Sequence, residues 1–185
     1  MTQSIDVDEL KQRYAAGERE FSNLDLSEAN LERIDLHDAL LDGANLEGAN
    51  LRQANLANAD LSSADLSGAD LTEADLSGAN LSDAMMEGTI LENAILEHAN
   101  LSQADLEVAN LTSADLSEAK LYQTDLRGAN LESADLRAAN LANAELEHAN
   151  LTDAALEDAN LSGADLENAT VDGTILEGGD THLAT

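Results

Sequence analysis

Residues 59–71 read Ala59-Asp60-Leu61-Ser62-Ser63-Ala64-Asp65-Leu66-Ser67-Gly68-Ala69-Asp70-Leu71, and the five-residue step in this stretch decides the fold. Leu recurs every fifth residue from Leu26 to Leu176, interrupted only by Met86 and Val171. Phe21 extends the register backward, giving 32 successive repeats without insertion or deletion. Two residues before each Leu stands Ala, with Leu24, Ile34, Thr89, Thr124 and Thr174 as the exceptions. Asp or Asn lies between the two in most repeats, so the unit is Ala-Asp/Asn-Leu-x-x.

An α-helix rejects this spacing. At about 100° per residue, a step of five rotates successive Leu by about 140° and leaves no apolar stripe. Extended chain accounts for part of it, because Ala and Leu two apart point to the same side of a strand. The next Ala comes three residues later, and the extra residue requires a bend. Each repeat is therefore a short extended piece followed by a corner. Gly43, Gly48, Gly68, Gly78, Gly88, Gly128, Gly163, Gly173 and Gly178 all fall two residues after the inward Leu, and Asn23, Asn58, Asn93, Asn143 and Asn168 share that column. Gly and Asn are the residues that tolerate positive φ in turns.

A motif repeated in this way resembles the pentapeptide-repeat family from Phe21 to about Leu176, and Leu10–Phe21 resembles the lead-in of cyanobacterial members. The resemblance implies an all-β fold, a right-handed quadrilateral β-helix with four repeats per coil. On that basis the chain makes about eight coils, a rod roughly 38 Å long at about 4.8 Å per stacked strand. Leu46, Leu66, Met86, Leu106 and Leu126 then form one interior column.

The expected organisation is an N-terminal helical cap at residues 1–20, the β-helix at 21–178 and a tail at 179–185. Asp6 as N-cap with Glu9 three residues on fits a capping box. Val7, Leu10 and Tyr14 follow at helical spacing and Gly17 suits the stop, which predicts a helix over 7–16 folded across the first coil. At the other end the repeat decays through Val171-Asp172-Gly173-Thr174-Ile175-Leu176, without a helical lid. Val171, Ile175 and Leu176 there form a candidate edge for weak homodimerisation, since unpaired strand edges invite pairing.

Composition narrows the partners. Lys and Arg number 8 against 38 Asp and Glu, a formal net charge of −30, and Cys and Pro are absent. That balance opposes direct contact with nucleic acid or an anionic membrane and favours a protein partner with a basic surface. No Cys means no disulfide and no thiolate metal site. The N-terminus lacks the basic start and apolar core of a secretory signal, so a cytoplasmic location is expected.

Nothing predicts a catalytic residue, a cofactor or a metal. His37, His98, His148 and His182 fall on different outer columns, whereas metal ligands must converge. Glu47, Glu87, Glu107, Glu147 and Glu167 share a column that includes Arg127, and a solvated acidic face is the expected outcome. The departure of most interest is Met85, Ile90 and Ile95. These residues replace Asp or Asn on three consecutive faces of one coil and make a candidate apolar docking belt. The function expected is a non-enzymatic structural or interaction rod. The resemblance supplies an alternative, because fluoroquinolone-resistance and gyrase-inhibitor members mimic duplex DNA and bind gyrase or another topoisomerase. Duplex DNA carries a charge per about 1.7 Å, or roughly 22 over this rod, comparable with the charge of the chain.

Overall fold

The computed structural model describes residues 3–177. Its register is set by one number. Single parallel bridges join one residue of each repeat to the residue 20 further on, from Glu20↔Leu40 through Asp60↔Asn80 to Asn150↔Thr170. Four five-residue repeats therefore close each coil, and the coils stack as a four-sided solenoid. The bridging residue is the one that precedes the inward Leu, or the Phe21, Met86 or Val171 that stands in its place.

In a consensus repeat inside the rod every backbone N–H can be followed to an acceptor, as burial demands. In residues 61–65, Leu61 N–H donates to Asn80 O at 2.7 Å and Ser63 N–H to Ser82 O at 2.9 Å, both in the next coil. Asp65 N–H donates back to Ala44 O at 2.9 Å, and Ala64 N–H closes the corner on Leu61 O at 3.0 Å. The remaining donor, Ser62 N–H, meets the Asp60 carboxylate at 3.0 Å.

At the corners the chain reverses on a residue with left-handed backbone. From Asn23 to Gly173, every residue two past the inward position has φ between +52° and +74°, and most of them are not Gly. With the Leu–Ala hydrogen bond across it, each corner has the signature of a type II turn. The expectation that Gly and Asn mark the corners holds, but Glu, Gln, Ser, Asp and His adopt the same conformation.

Leu and Ala fill the interior, and the inward positions of the rod are almost all fully buried. Thr89 and Thr124, which replace Ala, are buried without loose hydroxyls. Thr89 Oγ1 lies 2.7 Å from Met86 O and 3.0 Å from Leu66 O, and Thr124 Oγ1 lies 2.8 Å from Leu101 O.

Before the first coil, β1 (Gln3–Ser4) pairs in parallel with β2 (Leu24–Asp25), a strand the sequence did not suggest. Helix α1 follows at Val7–Ala15, one residue shorter than expected, because Ala16 is the C-cap and Gly17 turns at φ +94°. Asp6 accepts from Glu9 N–H at 2.7 Å as its N-cap. Leu10 is buried and joins the core together with Ile5 and Phe21. The expected tail at 179–185, with His182, lies outside the described residues, as do Gly178 and Gly179.

An inward carboxylate should be intolerable here, because it would sit unpaired among stacked Leu. Leu106→Asp is expected to lower the melting temperature by at least about 10 °C or abolish folding, whereas Ser102→Asp at an outer corner should shift it by no more than about 2 °C. Equal losses in a thermal melt would show the assigned faces to be wrong.

Candidate functional site

The outward Asp/Asn column is structural, a role the sequence reading did not assign. Every Asp and Asn in it from Asp25 to Asp165 accepts the N–H of the residue two further on, an Asx turn. A signal was present, since the column takes Asp and Asn but almost never Glu or Gln. Only the shorter side chain reaches back to its own backbone. Some of these amides also ladder between coils, as Asn100 Nδ2 does to Asn80 Oδ1 at 3.0 Å.

Met85, Ile90 and Ile95 cannot accept that hydrogen bond. The N–H groups of Glu87, Glu92 and Glu97 consequently have no acceptor among the described residues, while all other rungs of this coil are intact. Leu40, Lys120, Glu145, Ala155, Thr170 and Ile175 depart in the same way, but only Thr170 and Ile175, where the repeat decays, lie on consecutive faces. The three belt side chains are 48%, 37% and 42% exposed. Each is bridged to carboxylate positions in the adjacent coils: Met85 to Asp65 and Asp105, Ile95 to Asp75 and Asp115, and Ile90 to Asp70 on one side and Asn110 on the other. The belt is thus an apolar band over three of the four faces, set between rows made mostly of acid.

Among the described residues, carboxylates converge closely in one place. Asp105, Glu107 and Asp125 bring ligand atoms within 4.8 Å of one another, but a cation from the chain itself is already there. Arg127 Nε donates to Asp125 at 2.9 and 3.0 Å, and its guanidinium lies 3.5 Å from Glu107 and 3.4 Å from Glu145. Hydrogen bonding to Arg127 holds the Asp125 carboxyl below its ordinary range. Asp60 is lowered for another reason. Burial pushes it up, but hydrogen bonds from the Ser62 hydroxyl, the Ser62 N–H and the Asn80 amide outweigh that. These perturbations belong to turns and ion pairs on a convex surface.

Among the described residues, His37, His98 and His148 do not converge. His37 joins α1 to the rod, with Nδ1 2.9 Å from the Tyr14 hydroxyl and 2.7 Å from Asp35. His98 lies between Glu97 and Glu118 at 3.4 and 3.5 Å. At the C-terminal edge Val171 and Leu176 are half-buried against the core, and Ile175 is exposed.

A stacked, four-sided solenoid with one turn per five residues defines a class before any sequence is compared. A model of pentapeptide repeats matches residues 20–58, 54–93, 90–128, 129–168 and 139–178. The chain belongs to the pentapeptide-repeat family, whose repeats imply a right-handed quadrilateral β-helix. No curated protein sequence matches it. Among solved structures it is similar to HetL, a pentapeptide repeat protein involved in heterocyst differentiation regulation from the cyanobacterium Nostoc sp. strain PCC 7120. HetL is 35% identical over 95% of this chain and 96% of its own, with a TM-score of 0.31. QnrB1, a plasmid-mediated fluoroquinolone resistance protein, is 20% identical over 91% of this chain and 84% of its own in one trypsin-treated form, with a TM-score of 0.69. A pentapeptide repeat protein of the Arabidopsis thaliana thylakoid lumen is 34% identical over 57% of this chain and 70% of its own, with a TM-score of 0.38.

Replacing Met85, Ile90 and Ile95 together with Asn should restore three Asx turns, each worth about 0.5–1.5 kcal/mol. The triple variant is expected to melt above the wild type by roughly 3–18 °C. A lower melting temperature would mean that the belt is packed into the fold rather than presented by it.

Proposed function

We propose that the chain is a non-enzymatic rod that binds another protein, with Met85, Ile90 and Ile95 as its docking belt. One observation carries the reading: the repeat residues are consumed by the fold, inward or in turns, whereas the belt gives up turn hydrogen bonds to expose apolar side chains. In this reading residues 1–20 form an N-terminal cap, residues 21–178 a rod of eight coils and residues 179–185 a tail. The rod works in the cytoplasm. Its acidity selects a partner with a basic surface. No helix of the described residues is long and apolar enough to cross a membrane.

A second reading, an acidic rod that mimics duplex DNA and binds gyrase or another topoisomerase, is favoured by the carboxylate rows on the face of Met85. Glu47, Glu87, Glu107, Glu147 and Glu167 recur at multiples of the coil period there, next to Asp65, Asp105, Asp125 and Asp165. A gyrase supercoiling assay separates the two. Under the docking reading the purified chain leaves supercoiling unchanged even in molar excess. Inhibition by the wild type and by M85N/I90N/I95N alike would replace docking with mimicry.

We further propose that Val171, Ile175 and Leu176 support weak end-to-end pairing of two copies. With −30 per chain, repulsion opposes pairing and salt relieves it. Light scattering should therefore detect association only at high ionic strength, and a chain ending at Glu177 tests the part played by the tail. If the full chain stays monomeric at high salt, pairing is ruled out.

A further inference from the structure

One corner of the rod carries a second anomaly beside the belt. Val108 has φ +52°, the left-handed region that β-branched side chains avoid, and it is the sole β-branched residue at this position of any corner. It is also 57% exposed. Neither packing within the chain nor turn chemistry accounts for it, since Gly, Asn or Ser fills most such corners without the crowding.

Its position connects it to the belt. Met85 and Ile90 lie on adjacent faces that meet at the corner Glu87–Gly88. Gly88 N–H donates to Glu107 O at 2.9 Å, which stacks the corner Glu107–Val108 directly on it. The same corner in the coil beyond is Gly128, where a Cβ would lie 3.3 Å from Val108 Cγ1. Val108 therefore stands between two glycines, with no side chain of the corner column beside it, and shares one edge of the prism with Met85 and Ile90. Ile95 is a face further round. Asp65, Asp105, Asp70, Glu87 and Glu107 rim this edge; Arg52 pairs with Asp70 at 3.1 Å and Arg127 reaches Glu107 at 3.5 Å, so acids still outnumber cations there.

We infer that the edge formed by Met85, Ile90 and Val108 is the centre of the docking surface, and that it takes a basic protein segment whose apolar side chains are set among Lys or Arg. The inference rests on the reading of the chain as a protein-binding rod and narrows it to one edge and one partner chemistry. The net acidic rim supplies the charge complementarity: bare hydrocarbon would suit many partners, but hydrocarbon beside an excess of carboxylate over Arg52 and Arg127 suits a cationic one. A second copy of this chain is the wrong partner, because it would bring the same carboxylates to the same edge. Attraction between rim charges should govern the approach, and the apolar centre should govern how long the complex lasts.

The test uses a fluorescent dodecapeptide of alternating Lys and Leu, a matched peptide of alternating Lys and Ser, and fluorescence anisotropy at physiological salt. The variant M85N/I90N/V108G places at each position a residue already found in the same column, as at Asn45, Asn50 and Gly48, so its fold is expected to survive, which a thermal melt checks. The wild type should bind the Lys/Leu peptide about tenfold more tightly than the Lys/Ser peptide. That preference should vanish in M85N/I90N/V108G and persist in I95N. Equal affinity of the wild type for both peptides, or a preference retained by the triple variant, overturns the edge as a docking site while leaving an interaction rod that attracts cations by charge alone. Loss of the preference in I95N would overturn the edge in favour of the whole belt. If neither peptide binds, the edge and the basic-partner reading of the rod both fail. Concentration-dependent dimerisation of the wild type that disappears in the triple variant would make the occupant a second copy and overturn the assignment.

Discussion

The solenoid depends on the placement of backbone N–H groups. Three donors per repeat point along the axis to neighbouring coils, one closes the corner, and one is left that no backbone carbonyl can reach. The Asp or Asn of the repeat exists to receive it. Once all five are satisfied, the corner can hold an ordinary side chain at positive φ, a conformation that costs about 1–2 kcal/mol on its own. Such strain persists only where the surroundings over-determine it, and here each corner is fixed by bonds to a neighbouring coil, by its own turn and by an Asx contact.

This explains what could be read from the sequence. The inward columns were legible because burial admits few residue types, and Leu and Ala at spacings of two and three admit few backbones. The corners were legible through Gly and Asn, and the N-cap through Asp6 and Glu9. The Asx column was visible as a preference but not as a mechanism, because that mechanism involves a backbone donor rather than a side chain. The pairing of Gln3–Ser4 with Leu24–Asp25 had no periodic signature, since two residues cannot show one. Val108 could have been found by asking which corner residue least suits a left-handed backbone. The grouping of Val108 with Met85 and Ile90 required knowing that 20 residues close a coil.

Charge follows the same division. Many carboxylates are already engaged with the local backbone, and the few cations sit where carboxylates crowd, as Arg127 does among Asp125, Glu107 and Glu145. Arg137 with Asp135 and Arg52 with Asp70 repeat the arrangement. Much of the acidity is therefore a by-product of turn chemistry for which Asp and Asn are near equivalents. The acids that serve no turn and no ion pair, such as Glu87 and Glu92, are those free to act on a partner.

Near-identity of the repeats has another consequence. If a single pentapeptide were looped out during folding, all downstream Leu, Ala and Asp residues would still find equivalent sites, but each would have moved by a quarter turn. The consensus residues are indifferent to such an error. The irregular ones are not: Asn100 would lose Asn80 across the defect, and Arg127 would be carried away from Glu107. The residues that look like noise in the repeat therefore act as its index marks, and they give an almost degenerate ladder a single correct phase.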